Sequence, residues 1–253
     1  MPDFNNYFDK LKVKVVTAED FDSAQKYLLY GAAGTGKSSL AYSASLVPEL
    51  CPVLGVDIEH GSMPALKHGD MNNLTILRPN SFTEVKKIIN MINEPDFPFK
   101  CVVFDTADKF QEMVVRHWGK ISDNAFEKWT QAYEQLVILM DAIKAKGITV
   151  IAITHVDRVI LEGTGEKMIG PAFEGKVSPR KIPSDFDVVG YMHWEEIDED
   201  NVIPVLVTRT GEDIIVKQRF DMPDILGEPT MTKITEYYKI WKAEYLEKEN
   251  ANE

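Results

Sequence analysis

Cysteine is scarce in this 253-residue sequence. Cys51 and Cys101 are the only two, and they lack the C-x-x-C spacing of a metal or redox site. Each lies beside an apolar run, so both read as buried thiols of a reducing cytosol. No uninterrupted apolar run approaches the length of a membrane span, and the opening MPDFNNYFDK has neither the basic nor the apolar region of a signal peptide. These absences exclude a disulfide scaffold and a spanning helix, and they predict a cytoplasmic protein with no membrane partner. Positive charge is also in deficit: the net charge is −12 and the sequence pI about 5.0. Such a chain as a whole repels nucleic acid, and any DNA contact requires a local basic patch. Internal repeats and low-complexity segments are absent too. What remains, at 44% apolar content, is an ordinary globular composition whose simplest reading is one large α/β domain.

One stretch dominates what is present. An apolar segment, Tyr27 to Tyr30, leads through Gly31, Ala32, Ala33, Gly34, Thr35, Gly36, Lys37 and Ser38 into Ser39-Leu40-Ala41-Tyr42, which can continue as a helix. This is the G-x-x-x-x-G-K-[ST] pattern set between a strand and a helix, the context its chemistry requires. Glycines let successive N–H groups curl toward a polyphosphate, Lys37 adds charge toward the β and γ phosphates, and Ser38 offers a hydroxyl to Mg²⁺. The predicted nucleotide site therefore runs from Gly31 to Ser39.

Along the chain, residues 1–26 read as an N-terminal arm or edge strand, with LKVKVV alternating lysine and apolar residues. Val53 to Asp57, Cys101 to Asp105 and Thr149 to Thr154 are near-continuous apolar runs, and Leu74 to Leu77 is a shorter one. Continuous apolarity means both faces are covered, as in a parallel sheet sandwiched by helices. Ser81-Phe82-Thr83-Glu84 is a capping box that opens a helix with Val85, Ile88, Ile89 and Ile92 on one face. A longer helix is predicted from about Glu127 to Lys146, with Trp129, Tyr133, Leu136, Met140 and Ile143 inward and Gly147 as its stop. Val156 to Pro183, rich in Gly and Pro, reads as a long irregular loop. Val188 to Trp194, Val202 to Arg209 and Ile214 to Arg219 read as closing strands of antiparallel character, and residues 221–253 as a helical tail.

The carboxylates decide the chemistry. In an open parallel sheet, ligands sit at the carboxyl ends of the strands, which directs Asp57, Glu59, Asp105 and His155 toward Lys37. Asp105, closing an apolar strand, is placed to anchor Mg²⁺ with Ser38; its plainer reading is a helix N-cap. A Glu directly after that Asp, as in the large chaperone-like ATPase class, is missing, because Thr106 follows. The free carboxylate is Glu59, whose plainer reading is an exposed strand-end acid, as His155 could be a satisfied loop histidine.

With the phosphate loop, VDIEHG, VVFDT and AITH together resemble the RecA-type ATPase core. The resemblance implies Glu59 as general base, Asp105 as metal anchor, Lys37 as phosphate cation, and His155, where that core commonly has Gln, as sensor of the γ phosphate. PSDFDVVGYMHW and LVTRTGEDIIVKQRF extend the likeness, over residues 27–220, to the compact single-domain RecA-like proteins of bacteriophages that assist recombination by single-strand annealing. Implied are an α/β RecA-like P-loop NTPase with a mainly parallel sheet and C-terminal antiparallel strands, ATP and Mg²⁺ as cofactors, and hydrolysis linked to single-stranded DNA. A single-strand binding protein and a homo-oligomer, ring or filament, in the cytoplasm of a bacterial host are implied as well.

Phe21-Asp22-Ser23-Ala24 fits a short F-x-x-A pattern by which some recombinase subunits hook onto a neighbour. DNA is expected on the 156–183 loop through Arg158, Lys167, Lys176, Arg180 and Lys181. Lys217 and Arg219, with Arg209 as an alternative, are expected to complete a neighbouring subunit's site; their plainer reading is a solvated edge-strand pair. Two other readings stay open: an ATPase loader or remodeller acting on a protein such as a helicase, and a nucleotide-switched binding module with little turnover. No Arg-rich lid follows the core, which disfavours a nucleotide kinase.

Overall fold

The computed structural model describes residues 24–160, 165–175, 181–199, 201–209 and 213–250. The F-x-x-A pattern, apart from Ala24, and most of the expected N-terminal arm lie outside them.

Among the described residues, a nine-stranded sheet forms the middle layer. Its parallel part is built from β1 (Lys26–Gly31), β2 (Val53–Asp57), β3 (Leu74–Leu77), β4 (Cys101–Asp105), β5 (Thr149–Thr154) and β8 (Val188–Asp198). They lie in the order β8-β1-β5-β4-β2-β3. The continuous apolar runs are explained by the two-residue period of a strand, which sends alternate side chains to two separate cores. Leu28, Tyr30, Val102, Phe104, Val150 and Ala152 face one core, whereas Tyr27, Leu29, Cys101, Val103, Ile151 and Ile153 face the other.

The first core is covered by α3 (Phe82–Asn93), α4 (Ala107–Trp118) and α5 (Ala125–Ala145). The second is covered by α1 (Lys37–Tyr42) with the 3₁₀ turn after it, by α2 (Met63–His68) and by α6 (Met231–Asn250). The capping box at α3 forms with one shift: Ser81 Oγ accepts from Glu84 N at 3.3 Å, but Glu84 Oε2 accepts from Asn80 N at 2.6 Å, one residue beyond the cap. On α5 the buried stripe is Ala132, Leu136, Leu139 and Ile143, whereas Trp129, Tyr133 and Met140 of the expected face are half-buried. Gly147, at φ 63°, ends that segment in the left-handed region.

Two expectations are corrected. Residues 156–183 do not form one irregular loop, since β6 (Val156–Ile160) and β7 (Lys167–Pro171) pair as an antiparallel ribbon. Gly170 within it is a packing requirement: a Cβ there would stand 2.8 Å from Ile215 Cδ1 and 2.9 Å from Val159 Cγ2. Nor does the sheet stop at residue 220, because β11 (Ile225–Gly227) pairs with β9 (Asn201–Val207), and α6 buries Met231, Ile234 and Tyr238. β8 is parallel to β1 and antiparallel to β9 and to β10 (Lys217–Gln218), so it turns the parallel sheet into its antiparallel edge. Among the described residues no helix is long and apolar enough to cross a membrane.

Candidate active site

The register aligns the carboxyl ends of the parallel strands. Asp57 stands beside Asp105, Asp105 beside Ile153, and Thr154 beside Tyr30, one residue before the phosphate loop. The loop owes its shape to glycine at three positions for two reasons. Gly34 and Gly36 have φ of 80° and 90°, which side chains rarely adopt. Gly31 is needed because β8 passes close by: a Cβ there would lie 2.2 Å from the Met192 carbonyl oxygen. Thr35 Oγ1 donates to Ala32 O at 2.9 Å and closes the turn.

Lys37 opens α1 and is buried, its Nζ donating to Gly31 O at 2.9 Å and Ala32 O at 2.8 Å. Burial pulls its ammonium below the ordinary value, against the attraction of Asp105, Glu59 and Asp108. Asp105 is 2% exposed. Burial pushes its carboxyl up to about 6, against a hydrogen bond from Ser38 and with help from Asp57 and Glu59. One of its oxygens, Oδ2, is buried without a hydrogen-bond partner among the described residues. A half-satisfied carboxylate beside a serine hydroxyl is a fitting donor set for a hard divalent cation, whose charge would offset the burial.

Asp57 and Glu59, two residues apart, differ. Asp57 is fully buried, and its oxygens accept from Gly61 N at 2.9 Å, Ser62 N at 3.2 Å and Arg78 Nε at 3.0 Å. It fastens the turn after β2 and has no reach left for the cleft. Glu59 emerges from that turn with its N–H on Asp105 O at 3.2 Å and its side chain 39% exposed. His155, directly after β5, holds its Nε2 3.6 Å from Glu59 Oε1 and its Nδ1 2.7 Å from Asp108 Oδ2.

Asp108 and Trp194 were missed from sequence. Asp108 is the second residue of α4, where an acid is already expected to face the helix N-terminus, so nothing marked it as part of the cleft. Trp194, on the part of β8 that runs past the loop, donates its indole N–H to Gly34 O at 3.2 Å. Only its place in PSDFDVVGYMHW, a stretch already singled out, could have pointed to it.

The remaining cations are dispersed. On the β6–β7 ribbon Arg158 pairs with Ile169 and Lys167 with Ile160, so both exposed cations share one face with Ile160. Lys176 and Arg180 lie outside the described residues, and Lys181 is exposed before the 3₁₀ turn Ile182–Asp185. Lys217 and Arg219 sit at the amino-terminal end of β8, opposite the phosphate loop of their own subunit. Lys217 Nζ donates to Ser184 O at 2.8 Å and Phe186 O at 2.7 Å, and Arg219 Nη1 pairs with Asp187 Oδ1 at 2.7 Å. Arg209 stands 3.9 Å from both Asp221 and Asp224.

No curated protein matches this sequence. Among solved structures, the crystal structure of the RadB recombinase is similar to it at a TM-score of 0.51 and 15% identity, covering 81% of this chain and 86% of that one. The likeness is one of fold, and it agrees with a parallel sheet whose strand ends converge on a phosphate loop. A family model described as an AAA domain matches residues 23–220. The chain thus belongs to that AAA domain family, and its mainly parallel α/β fold with a phosphate loop is like that of the RadB recombinase.

Proposed function

We propose that the chain binds ATP with Mg²⁺ at Gly31 to Ser39 and hydrolyses it, in bacteriophage recombination or strand annealing on single-stranded DNA. One observation carries the nucleotide reading: a buried, half-satisfied Asp105 carboxyl meets the Ser38 hydroxyl beside the Lys37 amine. Ser38 and Asp105 would hold the Mg²⁺, which when bound neutralises charge on the β and γ phosphate oxygens. Lys37 exchanges its two loop carbonyls for phosphate oxygens. Glu59 then takes a proton from a water whose oxygen attacks the γ phosphorus as the bond to the β–γ bridging oxygen breaks, and ADP leaves. His155 senses the γ phosphate from the neighbouring strand end.

Single-stranded DNA is assigned to the shared face of Arg158 and Lys167, with Lys176, Arg180 and Lys181 nearby in sequence. The chain's own net charge of −12 keeps a protein partner in contention, with a loader or remodeller role. A homo-oligomer is proposed in which Lys217 and Arg219, or Arg209, reach a neighbour's nucleotide, and a single-strand binding protein is the expected companion on DNA. The test is ATP hydrolysis with and without single-stranded DNA, on material whose mass in solution is known. DNA-stimulated turnover that rises with assembly supports the proposal. Turnover stimulated by a protein and indifferent to DNA selects the remodeller, and tight ATP binding with almost no phosphate release selects a nucleotide switch.

A further inference from the structure

We propose that Asp108 is a positioning residue for hydrolysis, fixing the ring of His155 so that Nε2 faces Glu59; the inference rests on the ATPase reading of the same site. Three strand ends contribute to the group: Glu59 follows β2, Asp108 lies on α4 after β4, and His155 follows β5. The 2.7 Å separation of His155 Nδ1 from Asp108 Oδ2 is a charge-assisted hydrogen bond. A carboxylate only accepts, so the proton on that side belongs to Nδ1. Nε2 is the nitrogen left for the cleft, 3.6 Å from Glu59 Oε1. The histidine backbone is fixed as well, since Ala172 N donates to its carbonyl at 2.9 Å, so ring rotation is the freedom that Asp108 removes.

The burial of Asp108 is what sets it apart from an ordinary helix-start acid. An aspartate in a first helical turn gains its favourable dipole interaction with both oxygens in water. Asp108 is instead 8% exposed, with Oδ1 buried and lacking a partner among the described residues. Holding a carboxylate there costs free energy that the helix terminus does not require. An orienting carboxylate behind a histidine, which in turn faces the group doing proton transfer, is the logic by which a third residue sets the geometry of a base. Here the unprotonated Nε2 accepts a hydrogen bond from the attacking water beside Glu59, which takes the water's other proton, and Asp108 acts only through the histidine.

Two measurements test this. In the first, Asp108→Asn should lower kcat roughly 10–100-fold while KM for ATP stays within about threefold, the pattern of an outer partner that leaves binding intact. In a His155→Ala background the same substitution should cost less than about twofold, because the residue it acts through is gone. Equal losses in both backgrounds, or no loss in the wild type, would overturn the proposal. The second measurement needs no turnover. Nitrogen NMR of the full chain near pH 8, with the His155 signal identified by its loss in His155→Ala, should show the proton on Nδ1, and Asp108→Asn should abolish that preference. A wild-type ring protonated on Nε2 overturns the proposal whether or not ATP is hydrolysed. A ring protonated on Nδ1 in a chain that never hydrolyses ATP overturns the hydrolytic reading instead and leaves the Asp108–His155 orientation standing.

Discussion

The two ends of the central sheet treat their polar groups in opposite ways. At the amino-terminal end, Lys217 is taken up by two carbonyls, Arg219 by Asp187, and Asp187 Oδ2 by the Lys26 N–H at 2.9 Å. At the carboxyl-terminal end, Asp105 and Asp108 each bury an oxygen with no partner among the described residues. Satisfied groups hold a fold together, whereas unsatisfied ones cost stability and are kept where a ligand completes them. The contrast sets the carboxyl-terminal end, where the proposed site lies, apart from the paired amino-terminal end, although Asp57 at the former is itself satisfied.

The strongest way to break that contrast is Glu59→Gln. An amide can hold a water but cannot take its proton, so turnover should fall roughly 10²–10⁴-fold with nucleotide affinity retained. Hydrolysis at the wild-type rate would remove the base from Glu59, and buried Asp57 could not replace it, since its oxygens are committed to the turn and to Arg78. Next in size is Lys37→Ala, which removes the cation aimed at the β and γ phosphates. Turnover should drop about a hundredfold or more, and ATP affinity with it. Unchanged affinity, measured by titration calorimetry, would show that the loop is not the phosphate site.

How much of this was legible beforehand depended on whether the cause was local. The phosphate loop and the buried strands could be read because a glycine pattern and a continuous apolar run each imply one backbone. Helix α4 carries little periodic signal: only Ala107, Phe110 and Val114 are its buried apolar positions, and Asp108 and Gln111 break the stripe. The β6–β7 ribbon looked like a loop because its glycines and proline advertise turns, whereas Gly170 is there to admit Ile215 and Val159. The aromatics of helix α5 suggest one inward face, yet the sheet accepts the smaller Ala132 in the core and leaves Trp129 half-buried. At the site, Asp105 and Glu59 follow from where strands end. Asp108 does not, because its meeting with His155 depends on the packing of α4 against β5, which no spacing encodes.

A third prediction turns the unsatisfied end into a stability measurement. The Asp105 carboxyl, pushed up to about 6 in the fold, binds its proton more tightly there than in the unfolded chain, where a carboxylate titrates near 4. The folded state therefore holds more protons between those values, and stability falls as pH rises from about 4 to 6. The loss amounts to about 3 kcal/mol if no other group compensates. In nucleotide-free and magnesium-free protein, Asp105→Asn should remove this part of the pH dependence and raise the melting temperature at pH 7, while destroying any magnesium-dependent gain. A wild type and variant with parallel stability profiles across that range would mean that Asp105 is not strained by burial.

The smallest effect belongs to the satisfied end. Arg219 is 54% exposed and its partner Asp187 13%, so solvent screens much of their attraction, and Arg219→Ala should cost no more than about 1 kcal/mol. Asp187→Ala should cost more, because it also leaves the Lys26 N–H at the start of β1 without its acceptor. Both losses are read by denaturant titration, and neither should change ATP affinity in a single subunit, since these residues lie at the opposite end of β1 from the loop. A turnover loss in Arg219→Ala that exceeds its stability loss would instead point across a subunit boundary. It should then be rescued on mixing with Glu59→Gln, because a mixed interface contains one intact set of groups. Absence of rescue in assemblies shown to contain both variants would leave Arg219 with its structural role alone, and the two ends of the sheet as different as their hydrogen bonding makes them.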